Sequence, residues 1–461
     1  QNEIKFGQFL INKPEREGFK PWRKNMSVLL QFIIVIGAIL LGTRYGGMGI
    51  GIISCLGLGI LCLFFGVTPG ALPADVCFII LSVCTCSAIL ETCGGLDLLI
   101  NIGAKILRNH PKYITTLAPI VMFFLTFFAG TAMVCFALQP VIYEVAYSNG
   151  IRPERAMVTG TMAAQCAIPA SPISAATAAL IGLFATYGYS DITLGQILMV
   201  TVPSILIAAI LTSFIFWKWG KDLDKDEAFQ ERLRKGLVEM PRPTELKKAS
   251  PKAKFSLILF GLGIVFIVST GFFPELRTPV GSEKPLSLAT VIELVMLLVG
   301  ALLVITCRPN LTVAANSQIL RSAVATMVCI VGCSWMADSF VAANGAVIME
   351  TFGQIAQDYP WSFAFVLYFM TSIMNSQAAT TRAIMPMGFA LGLSPLALIA
   401  MFPAVNGFLF PINGPAIAAC SIDRSGTSSM GKYVFDNPFQ IFGTVTAIIA
   451  VTIGFGITYF M

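Results

Sequence analysis

Four short stretches set helix-breaking residues beside hydroxyl and amide side chains, inside otherwise apolar sequence. They are Gly130–Thr131, Ser171–Pro172–Ile173–Ser174, Asn375–Ser376–Gln377 and Asn413–Gly414–Pro415. Proline in a helix interior costs about 3 kcal/mol or more, and lipid offers a bare backbone group no replacement partner. Such breaks survive where they line an enclosed, wetted cavity, and there the freed N–H and C=O groups can hold a solute. A half-helix N-terminus carries roughly +0.5 charge and suits an anion. The hydroxyls of Thr131, Ser171, Ser174, Thr177 and Thr380 and the amides of Asn375, Gln377 and Asn413 would add hydrogen bonds to that solute. The backbone would be opened at Gly130, Pro172, Ser376, Gly414 and Pro415. The bland alternative for any one break is a packing kink; four breaks in matching positions favour a binding site.

One charge narrows the solute. Arg382 lies five residues past Gln377. An arginine at membrane depth is expensive and usually functional, and it can grip a carboxylate through two parallel bonds. A structural pairing with Asp423 or Glu293, or a reach toward the interface, is the alternative. Asp423 and Arg424 follow the last break and read as a lock on a helix end or as a further ligand contact. Glu91, Asp97, Glu144, Glu293 and Asp338 lie in or near apolar runs; each is a candidate for a coupling proton, with a helix-end role as the ordinary expectation. Cys84 and Cys86, like Cys329 and Cys333, read as small packing residues. The single histidine, His110, sits beside Pro111 in a polar stretch. Neither H-E-x-x-H nor G-x-S-x-G occurs, so no catalytic residue, metal or cofactor is expected, with coupling to Na+ or H+ left open.

The elements that carry these breaks must span a membrane. The 461 residues are 56% hydrophobic and 12% charged, with mean hydropathy +0.80, against about 25% charged in soluble domains. Long apolar runs recur from residue 26 onward; their continuity excludes a β-barrel. The chain divides into a polar N-terminal extension (1–25), a first half (26–217), a polar loop (218–254) and a second half (255–461). Residues 1–25 lack the apolar segment of a signal peptide, and Met26 is the expected start of the first span. Each half shows three spans (near 26–43, 47–66 and 76–93; near 255–273, 286–306 and 318–341), a block broken by small polar residues (113–147; 361–392), a proline-broken run (155–187; 394–420) and a final span (194–217; 438–460), with 94–112 connecting two runs. Pro153 to Pro169 and Pro395 to Pro411 both cover sixteen positions, and Gly130 and Ser376 each stand ten before a proline, Pro140 and Pro386. The fold class expected is an all-α polytopic membrane protein of two inverted repeats, each with three spans, a re-entrant hairpin, a broken helix and a final span.

The net charge of +6 sits in loops and reads as an orientation signal rather than a nucleic-acid surface. With the 218–254 loop in the cytoplasm, Arg44, Lys105, Arg108, Lys112, Arg152, Arg155, Arg308, Arg321, Arg424 and Lys432 all fall inside, provided that both broken blocks are re-entrant. Both termini then lie outside.

Several motifs in order carry a resemblance: LGTRYGGMGIG (41–51), GGLDLLI (94–100), HPKYITTLAPIV (110–121), AGTAMVCFALQPVIYEVAYSNGIRP (129–153), ASPISAAT (170–177) and DRSGTSSMGKYV (423–434). From about Met26 to the C-terminus the chain resembles the bacterial anaerobic C4-dicarboxylate transporter (Dcu) family. The resemblance implies exchange or uptake of fumarate, malate, aspartate and succinate across the inner membrane in anaerobic respiration, without enzymatic activity. It also implies kinship with the wider ion-transporter group, homodimers in which a transport domain moves against a scaffold in elevator fashion. Hairpins and broken helices would form the transport domain, and the other spans the scaffold and dimer contact. Family members usually carry Gly where Ala132 stands, Thr where Pro169 stands, and a Leu-Pro-Thr-type stretch where FPINGPA (410–416) lies. The alternatives are a cation-coupled symporter of a related dicarboxylate and, more distantly, a channel.

Overall fold

The computed structural model describes residues 21–461 apart from 46, 71, 73, 190, 239–249, 283–284, 410–413 and 429–436. Every regular element among the described residues is helical. The first half runs α1 (Pro21–Tyr45), α2 (Gly47–Phe65), α3 (Ala74–Thr92), α4 (Gly95–Asn109), α5 (Ile114–Ala129), α6 (Cys135–Ser148), α7 (Pro153–Cys166), α8 (Ala175–Thr186) and α9 (Leu194–Phe216). Helix α10 (Glu227–Arg234) lies in the polar loop. The second half runs α11 (Pro251–Phe272), α12 (Leu288–Cys307), α13 (Leu311–Ala315), α14 (Gln318–Asp358), α15 (Ser362–Met374), α16 (Gln377–Ala390), α17 (Pro395–Met401), α18 (Gly414–Ile422) and α19 (Pro438–Tyr459).

Among the described residues, seven helices are long and apolar enough to cross a membrane, and the bent pair α3 and α4 would make an eighth. Several are apolar on every side. On α12, Met296, Val299 and Leu303 are buried while Leu294, Leu298 and Ile305 are exposed; on α11, Phe260, Ile264 and Ile267 are buried while Ile258, Leu262 and Val265 are exposed. One stripe packs on protein and the other suits hydrocarbon. Helices α6, α15 and α16 have 14, 13 and 14 residues. At 1.5 Å per residue each reaches only about 20 Å, short of the ~30 Å hydrocarbon core.

Two stretches differ from the sequence expectation. Residues 94–112, read as a connection between runs, contain α4, which carries Asp97, Lys105 and Arg108 against buried Leu96, Gly103, Ala104 and Leu107. It leaves α3 at 71°, turning at Gly94, whose φ of 85° favours glycine. The span expected to end near residue 341 instead continues to Asp358 as one 41-residue helix, α14. No Gly94-like break interrupts it.

The helices pack in two groups. Helix α2 lies on α1 and α14, and α3 lies on α12 and α14. Separately, α5 lies on α7 and α9, and α19 lies on α9, α7 and α17. The groups meet where α14 packs on α16 and α3 packs on α8. Within the first group, α2 and α14 touch backbone to backbone. A Cβ at Gly51 would lie 2.1 Å from Val328 O, and one at Gly332 would lie 1.9 Å from Gly51 O. Small residues let membrane helices approach this closely. Gly332→Leu is therefore expected to cost at least the ~1–3 kcal/mol typical of overpacking, read as a lower melting temperature in detergent. Gly59→Leu, where an added Cβ meets nothing within 4 Å, should leave the melting temperature unchanged.

Candidate functional site

The break after α7 organises the centre. A tight turn at Ile168–Ala170 follows the helix, with Pro169 inside it, then Ser171 and Ser174 adopt extended backbone and α8 begins. Neither Pro169 nor Pro172 has an N–H to continue the helical ladder, so the last carbonyls of α7 need other partners. Side-chain amides from the second half supply them. Gln377 Nε2 donates to Gln165 O at 2.9 Å and also bonds Asn406 Oδ1. Asn406 Nδ2 donates to Cys166 O at 3.3 Å and to Pro403 O at 3.1 Å. Gln139, fully buried on α6, donates through Nε2 to Thr161 Oγ1 and to Pro415 O, both at 2.9 Å.

Beyond the turn, the hydroxyls hold the break itself. Ser171 Oγ donates to Phe127 O at 2.8 Å, which joins the break to the first hairpin. Ser174 Oγ accepts from Thr177 N at 3.1 Å and donates to Thr177 Oγ1 at 3.0 Å; Thr177 Oγ1 donates to Pro169 O at 3.3 Å. Gly130 closes against Ile173: a Cβ there would meet the Ile173 side chain at 2.9 Å and its carbonyl at 3.0 Å.

The two hairpin tips share a backbone. Gly130 (φ 70°) is left-handed and Thr131 (φ −148°) is extended, with Thr131 Oγ1 accepting from Met133 N. Asn375 (φ 52°) is left-handed and Ser376 (φ −144°) is extended, with Ser376 Oγ accepting from Ala379 N. Gly and Asn tolerate the left-handed region, and Thr and Ser cap the helix that follows. Gly130 thus corresponds to Asn375, and Thr131 to Ser376. Counting back from Pro140 and Pro386 pairs Gly130 with Ser376, one residue off, because the tip is set by which residue accepts positive φ rather than by distance to a proline.

A cavity of about 100 Å³ opens where the first tip and the first break meet α3 and α14. Gly130, Thr131, Ser174 and Ala175 line one side, and Val83, Ser87 and Thr326 line the other. No charged side chain is in its lining. Ligand clefts for drug-sized molecules run ~300–1,000 Å³, so this space suits a small solute. An anion here would be met by hydroxyls and by the start of α8.

The remaining sequence candidates lie elsewhere. Thr380 is fully buried on α16, its Oγ1 3.6 Å from Met374 Sδ. Arg382, buried on the same helix, lies within electrostatic reach of Asp338 on α14 and of Tyr187 after α8, and is outside the cavity lining. The sequence alone offers Asp423 and Glu293 as carboxylate partners; the fold also brings Asp338 within electrostatic reach of Arg382. Asn375 and Gly414 are exposed, and Pro172 and Pro415 are buried. Asn413 lies outside the described residues. Asn406, Gln139 and Ser87 were not singled out from sequence. Asn406 and Gln139 are amides in apolar runs, which is the signal that would have found them.

Asp423 sits far along the chain from the cavity residues, in a turn of its own. It is buried and accepts from Ser425 N (3.0 Å), Ser425 Oγ, Thr427 Oγ1 (2.8 Å) and Ser428 N (2.7 Å). Thr427 Oγ1 also accepts from Glu154 N at 3.2 Å, at the start of α7. Arg424 is exposed. The first part of the polar loop folds onto this turn. Arg152 bonds Glu154 at 2.6 Å and also bonds Asp226, Arg155 bonds Asp222 at 2.7 Å, and Arg232 Nη1 donates to Gly426 O at 2.7 Å. Asp226 also caps α10 through Ala228 N and Phe229 N. Burial pushes the Asp226 carboxyl up, but these N–H donors and the Arg152 guanidinium outweigh it and leave it below its ordinary value. Among the described residues, no three His, Cys, Asp or Glu side chains converge to hold a metal ion.

A family model described as an anaerobic C4-dicarboxylate membrane transporter matches residues 27–461. The C4-dicarboxylate transporter DcuA of Escherichia coli (strain K12) is 40% identical over 440 residues, covering 94% of this chain and 100% of the relative. The anaerobic C4-dicarboxylate transporter DcuB of Escherichia coli O157:H7 is 35% identical over 437 residues, covering 93% and 98%. Among solved structures, the YdaH transporter of Alcanivorax borkumensis aligns with TM-score 0.55 at 14% identity, covering 94% of this chain and 98% of that one. MtrF of Neisseria gonorrhoeae aligns with TM-score 0.54 at 15% identity, covering 93% and 94%. At those identities the two structures share the fold alone.

Two outcomes are expected from this geometry. Gln377→Ala removes the side-chain amide that bonds Gln165 O and should cost about 1–3 kcal/mol, read as a lower melting temperature; an unchanged value means the carbonyl is satisfied without it. The support that Asp226 lends α10 is complete above the ordinary aspartate value of about 3.9 and is lost as pH falls through the depressed one. Asp226→Asn should therefore speed proteolysis of the 218–254 loop between about pH 5 and pH 8, where the native carboxylate is charged. Equal cleavage rates of native and variant protein across that range contradict it.

Proposed function

The chain belongs to the anaerobic C4-dicarboxylate membrane transporter family, and from that membership we propose that it exchanges or takes up fumarate, malate, aspartate and succinate across the bacterial inner membrane by alternating access. The observation that carries this reading is the cavity between the first tip, the first break and the α3 and α14 wall. One carboxylate sits at the start of α8, where unpaired N–H groups and the helix dipole favour it. Ile80, Val83 and Ala178 offer apolar contact to the hydrocarbon middle of the solute. Neutral donors hold such an anion without trapping it, which suits a carrier that must release its cargo.

The rest of the proposal follows from how the elements are tied. The hairpins and broken helices are bonded to one another through Gln377, Asn406, Gln139 and Ser171. They move as one body against α1–α3, α11, α12 and α14, the two halves being inverted repeats. The second group stays in the bilayer and makes a homodimer contact. Arg382 acts within the moving body, on the solute's second carboxylate or through Asp338. The Lys/Arg distribution places the 218–254 loop in the cytoplasm and both termini in the periplasm.

Counterflow in proteoliposomes tests the exchange. Internal succinate should accelerate entry of labelled fumarate, and the acceleration should survive collapse of Na+ and proton gradients. Entry that ignores internal succinate but follows an imposed Na+ or proton gradient would replace exchange with cation-coupled symport. Steady conductance without counterflow would mean a channel.

A further inference from the structure

Helix α3 packs on α12 and α14 rather than within a hairpin, and it carries a hydroxyl that its own helix does not use. Buried serine and threonine in membrane helices ordinarily bond the carbonyl four residues back. Two on α3 do so: Ser82 Oγ donates to Phe78 O and Thr92 Oγ1 donates to Ala88 O, both at 2.8 Å. Ser87 does not. It is only 2% exposed, and its Oγ has no hydrogen-bond partner among the described residues. A buried hydroxyl left unpaired costs about 1–3 kcal/mol. Ser87 lines the cavity that also holds Thr131, Ser174 and Ala175.

The donors opposite it are partly spent. Ser174 gives its proton to Thr177, and Thr177 N is taken by Ser174 Oγ. Thr131 Oγ1 accepts from Met133 N, which leaves its proton for another acceptor. The lining therefore offers neutral donors with no counter-charge: the Thr131 hydroxyl and the start of α8, with Ser87 and its unpaired hydroxyl on the opposite wall.

We propose that Ser87 is a solute-contacting residue, donating from the α3 wall to a carboxylate of the small dicarboxylate held at the start of α8. This rests on the transport reading above and adds a consequence to it. If the hairpins and broken helices travel and α3 does not, the Ser87 bond exists only while the cavity lies against α3. A contact made in one state alone shifts affinity in that state alone. Ser87 therefore tightens binding on one face of the membrane and leaves the other face untouched.

The test is the KM for labelled succinate, measured from each face in right-side-out and inside-out vesicles carrying the full chain. Ser87→Ala should raise KM about tenfold on one face, the size expected for losing a hydrogen bond to a charged group, and leave it unchanged on the other. Ser87→Thr, which keeps the hydroxyl, should restore the native value. Ser82→Ala, which removes a hydroxyl spent inside the helix, should move neither face. Equal shifts on both faces, or none, overturn the assignment. If Ser87→Ala does not accumulate, Ser87→Cys, similar in size with a weaker donor, is read the same way. Native protein that transports no dicarboxylate overturns the proposed function, whereas native transport with an unmoved Ser87→Ala overturns the Ser87 assignment alone.

Discussion

The carbonyls at the end of α7 are the constraint from which the rest of the centre follows. A helix that stops inside a membrane protein leaves C=O groups that water cannot reach, and each must be bonded or the break does not persist. Gln165 O and Cys166 O are bonded by Gln377 and Asn406, two side chains from the other half of the chain. Pro415 O, at the opposite break, is bonded in return by Gln139 from the first half. Neither half could close its own break with these bonds. The two are therefore obliged to fold against each other, and the position of the second hairpin tip is set by the carbonyls that it serves.

The first tip is held by a different economy. Gly130 turns because it lacks a Cβ, and the same lack lets it press against Ile173. The hydroxyls of Ser171, Ser174 and Thr177 are mostly consumed in fixing this junction. Through these bonds they fix the start of α8 against the first tip. Pro169 fits that arrangement, since its place in the tight turn needs no N–H and its carbonyl receives Thr177. A rigid, uncharged recess at a helix start is well suited to an anion that must come and go.

At one end of the bundle the polar chemistry has another purpose. The Asp423 turn, the start of α7 and the first part of the polar loop are joined by Arg152, Glu154, Asp226, Thr427 and Arg232. These contacts tie the outer ends of the broken helices together, as the amides tie their inner ends. The broken elements are thus bonded to one another at both levels.

Much of this was legible from residue types. Continuous apolar runs dictate membrane helices, because lipid admits no other backbone. Proline, glycine and short polar residues marked Gly130, Ser171, Asn375 and Gly414, because helix breaking is a local property of the chain. The ordered motifs carried the family, which the match over residues 27–461 shows. What the sequence could not convey was which distant group each polar side chain meets. Gln377 lies 212 positions from Gln165, and Gln139 lies 276 from Pro415. Arg382 could be recognised as costly, but not as a neighbour of Asp338. Ser87 looks like any small helix residue until α3 is laid beside the tip and the residue is found in a cavity lining with its buried hydroxyl unpaired. Local chemistry decides where a chain must break; only packing decides what the exposed groups will bind, because a hydrogen bond depends on two positions and the chain between them says nothing of their separation.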